Sequence, residues 1–121
     1  MKTARLADTD AVAADPAHFT GTVSRHDLVI VDDPPSSALL VRFAPGGRTH
    51  WHSHPNGQYL YVVEGVGVAQ SRGQERIELR PGDAIYAAPG EEHWHGATED
   101  HEMAHMAFSL GVTRWVGPVE D

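Results

Sequence analysis

The sequence predicts an all-β fold, a sandwich or barrel of short strands. Three observations carry that prediction. Turn-forming clusters recur along the chain at Pro34-Pro35, Pro45-Gly46-Gly47, Pro55-Asn56-Gly57, Gly65-Val66-Gly67, Arg72-Gly73, Pro81-Gly82-Asp83 and Pro89-Gly90. Their spacing is the roughly 8–12 residues typical of all-β domains. The stretches between them are short and rich in Val, Leu, Ile and Tyr. No window past residue 19 sustains a helical period. With 121 residues, the chain has the size of one domain with one modest core.

The elements follow from the breaks. Residues 1–17 are Ala- and Asp-rich without apolar periodicity and read as an N-terminal arm, with one short helical turn before Pro16. Residues 18–121 form the barrel. Its expected strands are Thr22–Val31, Ala38–Ala44, Thr49–His54, Gln58–Glu64, Gly67–Ser71, Glu75–Leu79, Ala84–Ala88, His93–Ala97, His101–Leu110 and Thr113–Val116. Alternate side chains of a strand face opposite sides. Arg42 therefore faces solvent, and Leu39, Val41 and Phe43 point inward.

Composition narrows the function. The chain has no cysteine, which excludes disulfides, thiolate nucleophiles and Cys-ligated metals. A net charge of -8 argues against non-specific nucleic-acid binding and against docking on anionic membrane. No apolar run reaches the ~20 residues of a membrane span, and the N-terminus lacks a signal-peptide pattern. The expected compartment is cytoplasmic. What stands out is 9 histidines, as many as all Lys and Arg together. Histidine is the commonest metal ligand and a base that titrates near neutral pH.

Spacing organises these histidines. His50, His52 and His54 alternate along one strand and share a face. Gln58 opens the next strand after the Pro55-Asn56-Gly57 turn and comes back beside them. His93 and His95 repeat the alternation, and His101 and His105 follow on the next strand. Imidazoles from neighbouring strands on one face form a metal site with open positions.

Two runs carry a family resemblance. The first is Gly46-x5-His52-x-His54-x3-Gln58-x6-Gly65, and the second is Gly82-x5-Ala88-Pro89-Gly90-x2-His93. They resemble the paired motifs of the cupins, with Gln58 where the first motif usually has Glu, Ala88 where the second usually has Pro, and Ala97 where it usually has Asn. The resemblance covers about Phe19 to Trp115. It implies a double-stranded β-helix (jelly-roll) barrel and a divalent ion held by His52, His54, Gln58 and His93. A neutral ligand set leaves the ion its full charge for a Lewis-acid role. The run Pro89 to Gly96, the start at Phe19–Val23 and the stretch Gly46–His52 are further similar to small bacterial cupins that include manganese-dependent hydroxynitrile lyases. That likeness puts manganese ahead of iron, nickel, cobalt or zinc. It also implies active-site roles without metal ligation for His95 and His105, and a lyase that makes or cleaves cyanohydrins. A metal-dependent dioxygenase and a non-catalytic binding cupin are the alternatives.

The remaining residues have simpler expectations. Leu39, Val41, Phe43, Leu60, Val62, Met103 and Ala107 face inward as core, and those at the open end wall the pocket of a small-molecule substrate. His50 belongs at the barrel rim, His101 is exposed, and His18 and His26 carry no signal. Arg48 and Glu91-Glu92 read as solvated charges. Trp51, Tyr59, Tyr61 and Trp94 face outward and would make an exposed patch of the kind that joins subunits, giving a homodimer or homotetramer.

Overall fold

The computed structural model describes all residues from Met1 to Asp121. After a 3-10 turn at Leu6–Asp8 come thirteen strands: β1 Val12–Ala13, β2 Phe19–Thr20, β3 Val23–Asp32, β4 Pro35–Phe43, β5 Arg48–Thr49, β6 Trp51–Ser53, β7 Gln58–Gly65, β8 Gly67–Ser71, β9 Ile77–Leu79, β10 Ala84–Ala87, β11 His93–Ala97, β12 Met103–Leu110 and β13 Arg114–Gly117. All pairings are antiparallel. One sheet runs β1-β3-β4-β12-β7-β10 and the other β13-β6-β11-β5-β2, with β8 joining β11 to β9. No helix is long and apolar enough to cross a membrane.

Residue pattern explains the main strands. On β7, Gln58, Leu60 and Val62 are buried while Tyr59, Tyr61 and Val63 are exposed, the alternation expected of a half-buried strand. On β12, Met103, His105, Ala107 and Ser109 face inward. A bulge between Ala104 and His105 shifts the register against β7; such bulges re-aim side chains at functional sites. The core gathers Val23, Phe43, Val62, Leu79 and Met103, with Leu60 and Ala107 beside them. Two glycines are sterically required. Gly65 has φ +78°, and a Cβ there would lie 1.8 Å from the Glu102 carbonyl oxygen. At Gly96 a Cβ would lie 2.3 Å from the Gly47 carbonyl oxygen, so this glycine lets β11 pass close to the turn before β5.

Several expectations change. The arm is partly built into the sheet, because Val12 and Ala13 pair with Arg25 and Ser24. Its helical turn is the single one at Leu6–Asp8. The Thr49–His54 strand breaks at His50 into β5, which pairs with β2 and β11, and β6, which pairs with β13 and β11. β4 begins at Pro35, directly after a cis Asp33–Pro34 bond. β12 begins only at Met103, leaving His101 exposed in the preceding turn. Trp94 faces outward but is 0% exposed. The guanidinium groups of Arg48 and Arg76 lie 4.7 and 5.1 Å from its ring, and its indole N–H donates to Gln70 Oε1. Trp51 is likewise capped, by Arg72 at 3.8 Å. Both tryptophans therefore leave the exposed patch expected of them. Arg48 stacks on Trp94 and pairs with Asp121, so it is more than a solvated charge.

Candidate metal centre

Four strands and one turn bring the site together. His52 on β6 and His93 on β11 are direct register partners, and their rings lie 4.4 Å apart. His54 follows β6 in the turn toward β7, whose first residue is Gln58. His95 sits two residues past His93 on the same inward face. His105 approaches from β12, aimed by the bulge before it. All five imidazoles and Gln58 are buried.

Four of the five rings are oriented by a bond at Nδ1, and His105 by one at Nε2. His52 Nδ1 donates to the His50 carbonyl at 2.8 Å, and His93 Nδ1 donates to the Glu91 carbonyl at 2.9 Å. His54 Nδ1 bonds the Thr113 hydroxyl at 3.2 Å, and His95 Nδ1 bonds His105 Nε2 at 2.9 Å. The Nε2 atoms of His52, His54, His93 and His95 are thereby left for the interior. Those of His54 and His95 have no protein partner, nor does His105 Nδ1. Buried polar atoms without partners are rare and costly. Carbonyl groups that fix the far nitrogen of a ligating imidazole are the usual outer support of a metal site.

Gln58 sharpens the case. Its amide nitrogen donates to Ser109 Oγ at 2.9 Å, and its oxygen lies 2.9 Å from His93 Nε2. With the His93 proton on Nδ1, Nε2 carries a lone pair, so two acceptors face one another. A divalent cation bound by both atoms resolves that opposition. The donor set of imidazole nitrogens and an amide oxygen fits a first-row divalent ion. His52, His93 and His95 each offer a donor atom, and these atoms all lie within 4.8 Å of one another. The His54 ring lies 5.0 Å from His52 and 5.7 Å from His93, against 5.2 and 5.7 Å for the His95 ring. The structure thus brings His52, His54, Gln58, His93 and His95 around one point. His95 stands about as near His52 and His93 as His54 does.

Burial sets the charge state. Desolvation pushes the imidazole pKa of His52 well below its ordinary value, with neighbouring His93 adding to the effect. His54 falls to about 4 by desolvation and the nearby His93. His93 is lowered by desolvation, partly opposed by its bond to Glu91. His95 is pushed far down by desolvation and then by His105. Burial takes His105 to about 4. All five rings are neutral at pH 7, as metal ligands and general bases must be.

The cavity beside these rings is about 100 Å³. Leu39, Val41 and Ala107 give it apolar walls, Ser37, Thr49, Ser109 and Thr113 supply hydroxyls, and Phe19 and Trp115 line it with aromatic rings. Phe43, Leu60 and Met103 lie in the packed cluster, not on the cavity wall. Phe43 still supports the site, with its ring 5.2 Å from His105 and 6.1 Å from His95. His50 contributes its carbonyl oxygen. His18 stacks flat on Trp115 at 4.4 Å, and Trp115 in turn packs against His52 at 4.9 Å. Sequence reasoning passed over Ser109, Thr113 and Trp115. Only Ser109 had a usable signal, its shared parity with Met103, His105 and Ala107. Glu91 also proves structural: its carboxylate bonds Ser71 Oγ and the Ala88 N–H, and the Ser71 bond holds it below the usual carboxylate range.

Residues 39–109 match the model of the cupin domain. The chain belongs to the cupin family. An (R)-mandelonitrile lyase of Granulicella tundricola is 48% identical to this cupin over 91 residues, covering 74% of this chain and 70% of that protein. A cupin-like protein from Thermotoga maritima superposes with a TM-score of 0.84 at 37% identity, covering 90% of this cupin and 86% of its own chain. An acetylacetone dioxygenase from Acinetobacter johnsonii aligns with a TM-score of 0.80 over 100% of this chain and 83% of its own. At 16% identity it shares the fold alone.

Proposed function

We propose that this cupin is a metal-dependent hydroxynitrile lyase, which cleaves or forms cyanohydrins of small aldehydes. The observation that carries the reading is the His95–His105 pair beside the donor cluster. A binding site needs ligands and a cavity, whereas a lyase also needs a base, and this pair is a neutral, buried base. The 48% identity to an (R)-mandelonitrile lyase supports the same reaction class.

His52, His54, Gln58 and His93 would hold the ion, and manganese is the first metal to test. Bound there, a divalent ion supplies Lewis acidity that favours a negatively charged oxygen. The protein supplies the rest. Leu39, Val41 and Ala107 receive the carbon skeleton and exclude water. His95 Nε2 accepts the hydroxyl proton. As it does so, the proton on Nδ1 can pass 2.9 Å to His105 Nε2, which spreads the positive charge over two rings. The C–C bond to cyanide then breaks, its electron pair leaves with the cyanide carbon, and the proton held by the pair returns to that carbon. General acid–base groups of this kind contribute about 10²–10⁴-fold in rate.

The test is cyanide release from mandelonitrile by manganese-loaded protein. Release well above the protein-free rate supports the proposal. No release with metal shown to be bound removes it, and oxygen uptake with a diketone would redirect it to oxidation.

A further inference from the structure

A row of rings crosses the sheet that carries the donors and runs out to its edge. Trp115, His52 and His93 are successive register partners on β13, β6 and β11. The His52 ring lies 4.4 Å from that of His93 and 4.9 Å from that of Trp115. β13 is the last strand of this sheet, so no further strand backs Trp115. The next contact comes from outside the strand. The His18 ring lies on the indole at 4.4 Å, within 3° of parallel, and Phe19 adds a tilted contact at 5.4 Å.

The chain fixes His18 on both sides. It closes the turn Asp15-Pro16-Ala17-His18, in which the His18 N–H donates to the Asp15 carbonyl at 2.9 Å and the Ala17 N–H donates to the Asp15 carboxylate at 2.9 Å. Asp at the first position and Pro at the second are what such a turn favours. Beyond the turn, Phe19 and Thr20 pair with Thr49 and Arg48. The His18 carbonyl accepts the His50 N–H at 2.8 Å. His50 is where the donor-bearing strand breaks, and its own carbonyl accepts the proton of His52 Nδ1 at 2.8 Å. His18 therefore reaches His52 by two routes, through the His50 backbone and through the indole.

On the reading of His52 as a ligand, we infer that His18 is a positioning residue: through Trp115 it keeps the His52 ring aimed at the cation. A single hydrogen bond at Nδ1 leaves an imidazole able to tilt about that bond. Packing against an indole removes the tilt only where the indole itself is held. Trp115 is half-buried on an edge strand of 4 residues, and the register of that strand slips just after it. The strand alone holds the indole weakly, and the flat His18 ring supplies the missing support. A donor held in place before the ion arrives loses less freedom on binding, which gives tighter binding and slower release. His18 does not line the cavity. Its effect on the centre passes through its neighbours.

Manganese release from the loaded full chain to excess chelator tests the inference. His18→Ala removes the ring and keeps both backbone hydrogen bonds. It is expected to release the ion about 2- to 10-fold faster, the equivalent of one aromatic pair. His18→Phe restores a flat ring and should bring the rate back to that of wild type. His18→Gln is polar and of similar reach but not aromatic. It should match His18→Ala, and it gives a second reading should that variant fold poorly. In a Trp115→Ala background, His18→Ala should have no further effect, because its route is gone. A His18 that serves the fold alone would instead lower the unfolding midpoint of the metal-free chain and leave the release rate at that of wild type. That result, or a His18→Phe rate no slower than that of His18→Ala, overturns the inference. A wild type that binds no divalent ion is a different failure: it removes the reading of His52 as a ligand, and the inference with it.

Discussion

Replacing Ser109 by Ala removes one atom of the site's outer support and tests how the Gln58 amide, proposed as a ligand, is held. In the wild type, Gln58 donates to Ser109 Oγ at 2.9 Å, and this leaves its oxygen facing His93 Nε2. Without the hydroxyl, a buried N–H loses its partner, at a cost of about 1–3 kcal/mol. The amide can then rotate and present its NH₂ to the His93 lone pair, a better contact in the metal-free protein and a useless one for binding a cation. Metal binding must first undo that rotation. Loss of an outer-shell partner typically lowers metal affinity about 10–100-fold, equivalent to about 1.4–2.8 kcal/mol. Competition with a chelator of known affinity reads the first quantity, and denaturant unfolding of the metal-free chain reads the stability cost. The expected result is weaker binding with a stability loss of at most about 3 kcal/mol. Unchanged metal affinity in a measurably destabilised variant would refute the argument, since Ser109 would then support packing and not the ligand.

Further expectations concern the base pair, pH and the backbone. His105→Ala should keep its metal and lower the rate of cyanide release by about 10²–10⁴-fold, checked by metal analysis alongside the steady-state assay. The metal-free protein should lose stability on acidification. His54 and His105 have folded pKa values of about 4 against an ordinary 6.5, so between those values the unfolded chain binds protons that the folded chain refuses. The stability they confer is complete above about pH 6.5 and is lost as pH falls toward 4, at up to about 1 kcal/mol per pH unit for each ring. Urea melts across that range measure the slope, and a flat profile would contradict neutral buried rings. Gly65→Ala should destabilise by about 3 kcal/mol or more, from a left-handed backbone and a methyl driven into the Glu102 carbonyl; thermal unfolding reads this directly.

What could be read from the sequence depended on regular alternation. β7 and β12 each carry several inward and outward positions, so parity pointed Leu60 to the interior, while the cupin-like second motif marked His93 and an otherwise apolar strand marked His105. The two-residue strands at Val12–Ala13 and Phe19–Thr20 are too short to have a period. Their pairing rests on partners elsewhere in the chain. Parity also gives only the side of a sheet. It could not show that Arg48 and Arg76 would converge on Trp94 and bury it. Nor does it give depth along the barrel, which is why Phe43, Leu60 and Met103 sit in the packed cluster while Leu39 and Val41 reach the cavity. Ser109 was passed over because a serine near a strand end resembles a solvent contact. The spacing of His52, His54 and His93 put them on one wall. That His95 would come as close as His54 is a matter of ångströms, set by how β6 and β11 cross.

The stack of His18 on Trp115, and of Trp115 on His52, has a spectroscopic consequence. The chain's other two tryptophans lie on the outside of the barrel beneath arginines, remote in environment from the imidazole cluster. Of the three, Trp115 alone lines the cavity and packs against the His52 ring. Its indole is thus a built-in fluorophore on the cavity wall. Cation loading and ring protonation at the centre are expected to change its emission, which a titration of the unlabelled chain would read.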